Sequence, residues 1–264
     1  MKKVIRTVIN KMGYDLTPIS NQTPLANDNV IKPESEMPVD ASAFEQSIIQ
    51  RVKAYTMTSP ERILSLIRSV DYVLENDIKG SVVECGVWKG GSMMAVALTL
   101  LERQRCERDL YLFDTFEGMP SASEVDISIG GDNASQLLEL SERSEDDHLW
   151  AYSPLEKVKL AVHSTGYPRE RISFVKGMVE ETILKNAPPE ISILRLDTDW
   201  YESTKHELFH LFPRLAVGGI LIIDDYGHWQ GAKKAVDEYI KANKVRILLQ
   251  RIDYTGRIAV KQCR

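Results

Sequence analysis

The sequence predicts an α/β protein in which a mainly parallel sheet of seven strands carries helices on both faces, the doubly wound arrangement of Rossmann-like proteins. Two observations lead to this fold class. From about residue 80 onward, short apolar runs of strand length alternate with segments of helical periodicity. The last two apolar runs are separated by a turn containing Gly256, which predicts a C-terminal antiparallel hairpin. A chain of 264 residues is long enough for one such domain.

The N-terminal region has a different character from the rest. Residues 1–14 are predicted to form a short amphipathic helix, and residues 15–40, which are rich in Pro, Asn, Ser and Thr, an extended arm. We expect the folded domain to cover residues 41–264. Helical periodicity begins near Ala41, and Ser59 followed by Pro60 predicts the start of a second helix, with the serine as N-cap.

Strands and helices then alternate along the chain. The predicted strands are Ser81–Cys85, Leu110–Phe113, Ile172–Val175, Ile191–Leu196, Val217–Ile223, Val245–Arg251 and Arg257–Lys261. The predicted helices are Ser92–Arg103, Val179–Lys185, Ser203–Leu211 and Gly231–Asn243. Residues 120–152 interrupt this order with a stretch dominated by Ser, Asp, Glu and Gly. An insertion of this length indicates a lid or substrate loop, with a solvated surface excursion as the alternative.

The composition argues against several classes of partner. The net charge of −5 gives no electrostatic reason to expect nucleic acid or an anionic membrane. No apolar run approaches 18 residues, and Lys11 and Asp15 interrupt any signal-peptide core, so we expect a cytoplasmic protein. The three cysteines are widely spaced and form no metal-binding pattern, which fits a reducing compartment.

Two of the predicted strands end on pairs of carboxylates. Asp197 and Asp199 follow one strand, and Asp224 and Asp225 follow the next. Because parallel strands place their carboxyl ends at one edge of the sheet, these four side chains should meet there. Two like charges about 4 Å apart repel by roughly 4 kcal/mol at an effective dielectric near 20. Either some of the aspartates are protonated or a cation lies among them, and an oxygen-only ligand set favours Mg²⁺.

The first strand leads into a glycine-rich turn that contains Gly86, Gly90 and Gly91. Glycines at this position let a ligand approach the backbone, but Trp88 stands where a dinucleotide site needs its second glycine. Asp114, at the tip of the second strand, is placed to accept the ribose hydroxyls of an adenosine. An adenosine ribose without a pyrophosphate points to S-adenosylmethionine.

Four motifs together resemble one known family. They are Glu84–Ser92, Phe113–Pro120, Leu196–Asp199 and Gly218–Tyr226. The chain resembles the macrocin O-methyltransferase (TylF-type) family from about Thr56 to Val260. This resemblance implies the class I methyltransferase fold, S-adenosylmethionine and Mg²⁺ as cofactors, and methylation of sugar hydroxyls on macrolide and aminocoumarin antibiotics.

The resemblance also implies roles for individual residues. Asp197, Asp224 and Asp225 would be the metal ligands, and Asp199 the general base. The residues expected to bind the cofactor are Thr58, Glu84, Gly86, Ser92, Asp114, Ser153 and Gly177. Two alternatives stay open: His228 is a rival base, and Asp199 is also a candidate N-cap for the following helix.

We therefore expect an S-adenosylmethionine- and Mg²⁺-dependent O-methyltransferase that acts on a sugar or polyol hydroxyl of a secondary metabolite, with the acceptor diol on the metal. The alternatives are a catechol-type Mg²⁺-dependent methyltransferase, a Rossmann oxidoreductase and a non-catalytic adenosine-binding protein. Four aromatic residues near the acidic strand ends would line an acceptor pocket or pack the sheet edge: Trp200, Tyr201, Tyr226 and Trp229. A homodimer or homotetramer is expected.

Overall fold

Seven strands form one sheet in the order β3-β2-β1-β4-β5-β7-β6, in a computed structural model that describes residues 37–145 and 147–262. The strands are β1 (Ser81–Cys85), β2 (Leu110–Asp114), β3 (Ile172–Lys176), β4 (Ile191–Leu196), β5 (Leu215–Ile223), β6 (Gln250–Arg251) and β7 (Arg257–Val260). The first five pair in parallel, while β7 is antiparallel to both β5 and β6. The predicted doubly wound sheet with its closing hairpin is confirmed.

Eight α-helices lie within the described residues. They are α1 (Ala43–Val52), α2 (Pro60–Glu75), α3 (Gly91–Glu102), α4 (Ala134–Leu140), α5 (Leu155–His163), α6 (Val179–Asn186), α7 (Tyr201–Leu211) and α8 (Gln230–Ala242). As predicted, Ser59 is the N-cap of α2, with its hydroxyl accepting from the backbone N–H of Arg62, and Pro60 is the first helical residue.

The sheet is buried on both faces because successive strand residues point to opposite sides. In β1, Val82 packs into an apolar cluster with α1, α2 and α3, whereas Val83 packs into a second cluster with α6, α7 and α8. All residues of β1 and β4 are buried. A polar side chain in either strand is therefore out of reach of bulk water and needs partners within the protein.

Two sequence expectations are corrected by the fold. The strand predicted for Val245–Arg251 is shortened to Gln250–Arg251, at the sheet edge where pairing is available on one side only. The described part of the insertion, residues 120–145 and 147–152, is not a purely solvated excursion, since it contains α4 and buries Ala134 and Leu138 against Trp200 and Trp229. Their role as a lid stays a prediction.

The predicted N-terminal helix and most of the extended arm, residues 1–36, lie outside the described residues. The proposed domain boundary near residue 40 stays a prediction. Within residues 37–145 and 147–262, no helix has the length and apolar character required to cross a membrane.

Candidate functional site

A cavity of about 410 Å³ opens at the carboxyl ends of the parallel strands, beside the point where strand order reverses between β1 and β4. This is where open α/β sheets bind their ligands. Ten of the predicted metal-binding, catalytic and cofactor-binding residues line it: Thr58, Gly86, Ser92, Asp114, Gly177, Asp197, Asp199, Asp224, Asp225 and His228. Glu84 and Ser153 do not lie on its wall; both are almost fully buried.

The acidic cluster forms because β4 and β5 end in register. Leu196 pairs with Ile223, so the residues that follow each strand meet at the same level. Carboxylate oxygens of Asp197, Asp224 and Asp225 all lie within 4.8 Å of one another. Burial raises the pKa of Asp197 and Asp225 well above the usual range, and the neighbouring carboxylates add to the shift. The predicted meeting of acids at one edge is therefore observed.

Arg195 is a central residue of the site that the sequence motifs did not indicate. It lies in β4 and its side chain is 4% exposed. One guanidinium nitrogen contacts Glu84 and Asp197 at 2.7 Å each, while another donates to Asp224 at 2.6 Å and to the Thr58 hydroxyl at 2.9 Å. The signal was an arginine inside an apolar strand run, a position where a charge requires buried partners.

A second guanidinium, that of Arg62, reaches the cluster from the first turn of α2. It forms an ion pair with Asp224 through one nitrogen and with Asp253 through another, the latter at 2.9 Å. The expected charge repulsion is thus balanced in part by two arginines of the protein. Both oxygens of Asp224 accept from guanidinium groups, but each carboxylate oxygen carries two lone-pair sites, so capacity for a metal remains.

Asp199 has an unusual backbone. Its φ angle of 63° lies in the left-handed region, which aspartate tolerates better than most residues. The chain therefore turns at Asp199 and does not continue as an extended strand beyond β4. The N-cap alternative is wrong, since Trp200 is the N-cap of α7. Burial and the nearby Asp197 raise the pKa of Asp199 to about 7.

The start of α7 is capped by a residue of the insertion. Asp126 is fully buried, and its Oδ1 accepts from the backbone N–H of Tyr201 at 2.8 Å. Its Oδ2 accepts from the backbone and the hydroxyl of Ser123. A Cβ on Gly231, in the first turn of α8, would lie 1.9 Å from Asp126 Oδ1. The Asp126 carboxylate thus lies between the N-termini of α7 and α8, and these contacts hold the first half of the insertion beside the cavity.

The glycine-rich turn owes its shape to contacts within the protein. Gly86 has φ +82°, and a Cβ there would lie 1.9 Å from the backbone carbonyl oxygen of Asp197. The close approach of Asp197, just after β4, by itself requires a glycine here. Gly86 also lines the cavity, and its predicted contact with a cofactor stays a prediction. Asp114 holds the same turn, since it accepts from the backbone N–H groups of Val87, Trp88 and Phe116 at 2.6, 3.1 and 2.6 Å. Its predicted contact with a ribose stays a prediction.

Glu84 and the aromatic residues complete the surroundings. Burial raises the pKa of Glu84 to about 7 despite its contact with Arg195, and its Oε2 has no hydrogen-bond partner among the described residues. Trp200 and Trp229 line the cavity and pack edge to face, with ring centroids 4.9 Å apart. Tyr201 and Tyr226 instead donate to Glu238 and Asp237 on α8, so their role is packing.

Glu207 is a buried carboxyl group near the site whose raised pKa can be tested by measuring stability against pH. It lies in α7, is fully buried, and accepts from the Thr198 hydroxyl at 2.9 Å. Burial raises its pKa well above the usual range. A raised folded-state pKa contributes stability that is complete below the unfolded pKa of about 4.3 and is lost as pH rises through the folded value.

We therefore expect Glu207→Gln to gain thermal stability relative to the wild type as pH rises from about 5 to about 8.5. Melting temperatures at both pH values measure this. Glu202→Gln, an exposed position on the same helix, is the matched control and should show no such trend. A constant difference between Glu207→Gln and wild type at both pH values would contradict the buried protonated carboxyl.

Comparisons with known proteins identify the family of this chain. A model of the macrocin-O-methyltransferase (TylF) family matches residues 19–260, which extends beyond the stretch identified from motifs. The chain is 32% identical over 203 residues to 8-demethyl-8-(2,3-dimethoxy-alpha-L-rhamnosyl)-tetracenomycin-C 4'-O-methyltransferase of Streptomyces olivaceus, covering 77% of this chain and 74% of that one. It is 31% identical over 190 residues to demethyldecarbamoylnovobiocin O-methyltransferase of Streptomyces niveus, covering 70% and 68%.

Solved structures show the same fold. The O-methyltransferase NovP superposes with a TM-score of 0.68 at 29% identity, over 79% of this chain and 83% of that chain. The calicheamicin methyltransferase CalS11 superposes with a TM-score of 0.58 at 20% identity, over 84% and 94%, which supports the fold alone. These matches identify the class I S-adenosylmethionine-dependent methyltransferase fold and remove the oxidoreductase alternative. The chain belongs to the macrocin O-methyltransferase (TylF) family and is an O-methyltransferase.

Proposed function

We propose that the protein is an S-adenosylmethionine- and Mg²⁺-dependent enzyme that methylates a hydroxyl on the sugar or polyol part of a secondary metabolite. The observation that carries this proposal is the placement of three clustered carboxylates and Asp199 in one cavity with the glycine-rich turn. The names of relatives support the substrate class, since one acts on a rhamnosyl tetracenomycin and another is a mycinamicin III 3''-O-methyltransferase of Micromonospora griseorubida.

The residues present fit the cofactor. Asp114 lines the cavity at the end of β2, where an acid suits an adenosine ribose, and Trp88 stands in the glycine-rich turn where a dinucleotide site needs its second glycine. Ser92, in the first turn of α3, and Thr58, held by Arg195, add polar groups to the same wall. A cavity of about 410 Å³ is within the range of small-molecule sites.

The residues also fit a hard divalent cation. Asp197, Asp224 and Asp225 offer oxygen ligands from two adjacent strand ends, as Mg²⁺ requires. When bound, S-adenosylmethionine would supply an activated methyl group, and Mg²⁺ would make an acceptor hydroxyl more acidic. Asp199, beside this cluster on the cavity wall, would accept the hydroxyl proton. His228, also on the cavity wall, is the alternative base.

Calorimetry and a methyl-transfer assay test the function together. We expect S-adenosylmethionine to bind to the wild type, and turnover on a glycoside with adjacent hydroxyls to stop in EDTA and return with Mg²⁺. Asp225→Asn should abolish the Mg²⁺-dependent turnover while cofactor binding persists. This position is preferred to Asp224, whose loss would also remove one ion-pair partner from each of two arginines, Arg62 and Arg195. Activity that survives in EDTA would contradict the metal role.

A catechol-type acceptor remains the second candidate, because Trp200 and Trp229 contribute aromatic edges to the cavity wall. Assays on a catechol and on a glycoside, run side by side, separate the two substrate classes. Turnover of the catechol alone would overturn the sugar assignment and leave the cofactor and metal roles intact. The cytoplasmic location and the homodimer or homotetramer stay predictions.

A further inference from the structure

We propose that Asp253 and Arg62 are a positioning pair that orients the carboxylate of Asp224 for metal binding. This inference rests on the proposed function, because it takes Asp224 as a metal ligand. The pair connects three elements that are far apart in sequence: the turn between β6 and β7, the start of α2, and the end of β5. Neither residue lies on a strand tip, and neither is an expected ligand.

Asp253 is held rigidly in its turn. Its Oδ1 accepts from the backbone N–H groups of Thr255 and Gly256 at 3.0 and 2.7 Å. Its Oδ2 accepts from the hydroxyl of Ser59 at 2.6 Å and from Nε of Arg62 at 2.9 Å. With hydrogen bonds from four donors, this carboxylate has one orientation. Burial would raise the pKa of Asp253, but Arg62, the Ser59 hydroxyl and the two backbone N–H groups together hold the pKa below its usual range.

Arg62 is in turn fixed by what surrounds it. Its side chain is 13% exposed, and a Cβ on Gly256 would lie 2.7 Å from its Cδ, so the hairpin turn packs directly on the arginine stem. With Nε bound to Asp253, the planar guanidinium can direct its other nitrogens only along defined lines. One of these nitrogens donates to Oδ2 of Asp224.

Asp224 is therefore oriented from two sides. Arg195 donates to its Oδ1 from β4, and Arg62 donates to its Oδ2 from α2. Arg195 also binds Glu84 and Asp197, so its removal disturbs the whole cluster. Among the described ion pairs, Arg62 pairs with Asp224 and Asp253 and with no other carboxylate. Substituting Arg62 therefore removes an ion pair from one expected metal ligand, Asp224. Groups that orient metal ligands typically contribute 10–100-fold to metal affinity or activity.

A positioning role and simple electrostatics predict opposite changes in metal affinity for the Arg62→Met variant. Arg62→Met removes a positive charge beside the metal site, which by Coulomb attraction alone would strengthen cation binding. If Arg62 positions Asp224, the same variant weakens binding. Arg62→Lys keeps the charge but lacks the planar fork, so it should also weaken binding.

The experiment measures Mg²⁺ and Mn²⁺ affinity by calorimetry in wild type, Arg62→Met, Arg62→Lys, Asp253→Asn and the Arg62→Met/Asp253→Asn double variant. We expect each single variant to weaken metal binding about 10–100-fold. The double variant should be no weaker than Arg62→Met, because Asp253 acts through Arg62. S-adenosylmethionine affinity without metal should stay unchanged, and kcat should recover at saturating Mg²⁺.

Asp71→Asn is the matched control. Asp71 also lies on α2 and binds an arginine, Arg103, with both oxygens at 2.7 and 2.9 Å, but the pair does not line the cavity. Metal binding as tight as or tighter than wild type in Arg62→Met, or additive effects in the double variant, would overturn the inference. If Arg62→Met fails to fold, Arg62→Lys and Asp253→Asn decide by the same criterion. A wild type that binds no metal would instead overturn the metal part of the proposed function.

Discussion

Asp199→Asn is expected to lower kcat by about 10²–10⁴-fold, the usual contribution of a positioned general base. The amide cannot accept the acceptor's proton as a carboxylate can. Asparagine also tolerates the left-handed backbone of this position, where φ is 63°, so the variant should fold without added strain. Cofactor and Mg²⁺ affinities, measured by calorimetry, should stay close to those of the wild type.

The rival base supplies the comparison for this variant. His228 lines the same cavity, and its Nδ1 lies 3.0 Å from the hydroxyl of Tyr254. We expect His228→Asn to retain most of the wild-type kcat and the wild-type dependence of rate on pH. Asp199→Asn should lose the rise in rate that accompanies deprotonation of the general base. The reverse pattern would assign the base to His228.

Arg195→Met is expected to destabilise the fold by about 3–5 kcal/mol, as is typical when one partner of a buried ion pair is removed. Methionine can fill much of the volume but donates no hydrogen bonds. Glu84, Asp197 and Asp224 would lose contacts of 2.6–2.7 Å in a region of low exposure. Denaturant unfolding without metal, with the midpoint and slope compared to wild type, measures the loss.

A surface arginine shows what an ordinary ion pair contributes. Arg171 binds Asp109 at 3.1 Å, and the two side chains are 44% and 43% exposed. We expect Arg171→Met to change stability by no more than about 1 kcal/mol. Added Mg²⁺ should restore part of the stability of Arg195→Met, because a ligand that binds the folded state shifts the equilibrium towards it. Equal losses at the two positions would contradict the buried cluster.

The acidic strand ends are the part of this site that could be predicted from the sequence. The sequence alone predicts that Asp197 and Asp225 lie together, because each follows an apolar run of strand length and parallel strands share an edge. The same local logic locates the N-cap Ser59 and the glycine-rich turn at Gly86. Hydrophobic periodicity, strand length and helix capping depend on residues that are close in sequence, so they can be recognised from neighbouring residues.

The partners of these acids follow a different rule. Arg195 meets Thr58 across 137 positions, Arg62 meets Asp224 across 162, and Arg62 meets Asp253 across 191. No local pattern encodes such pairs, although an arginine inside a buried strand does indicate that partners must exist. The left-handed turn at Asp199 and the cap that Asp126 places on α7 are likewise not indicated by a local sequence pattern.

The class of fold, the order of its elements and the carboxylates that meet at the sheet edge can thus be predicted from local patterns in the chain. How the charges of those carboxylates are balanced, and which way they face, became visible only in the folded molecule. The difference arises because strand and helix formation depends on residues a few positions apart. The orientation of a buried charge depends on whichever donors the finished fold brings within hydrogen-bond distance.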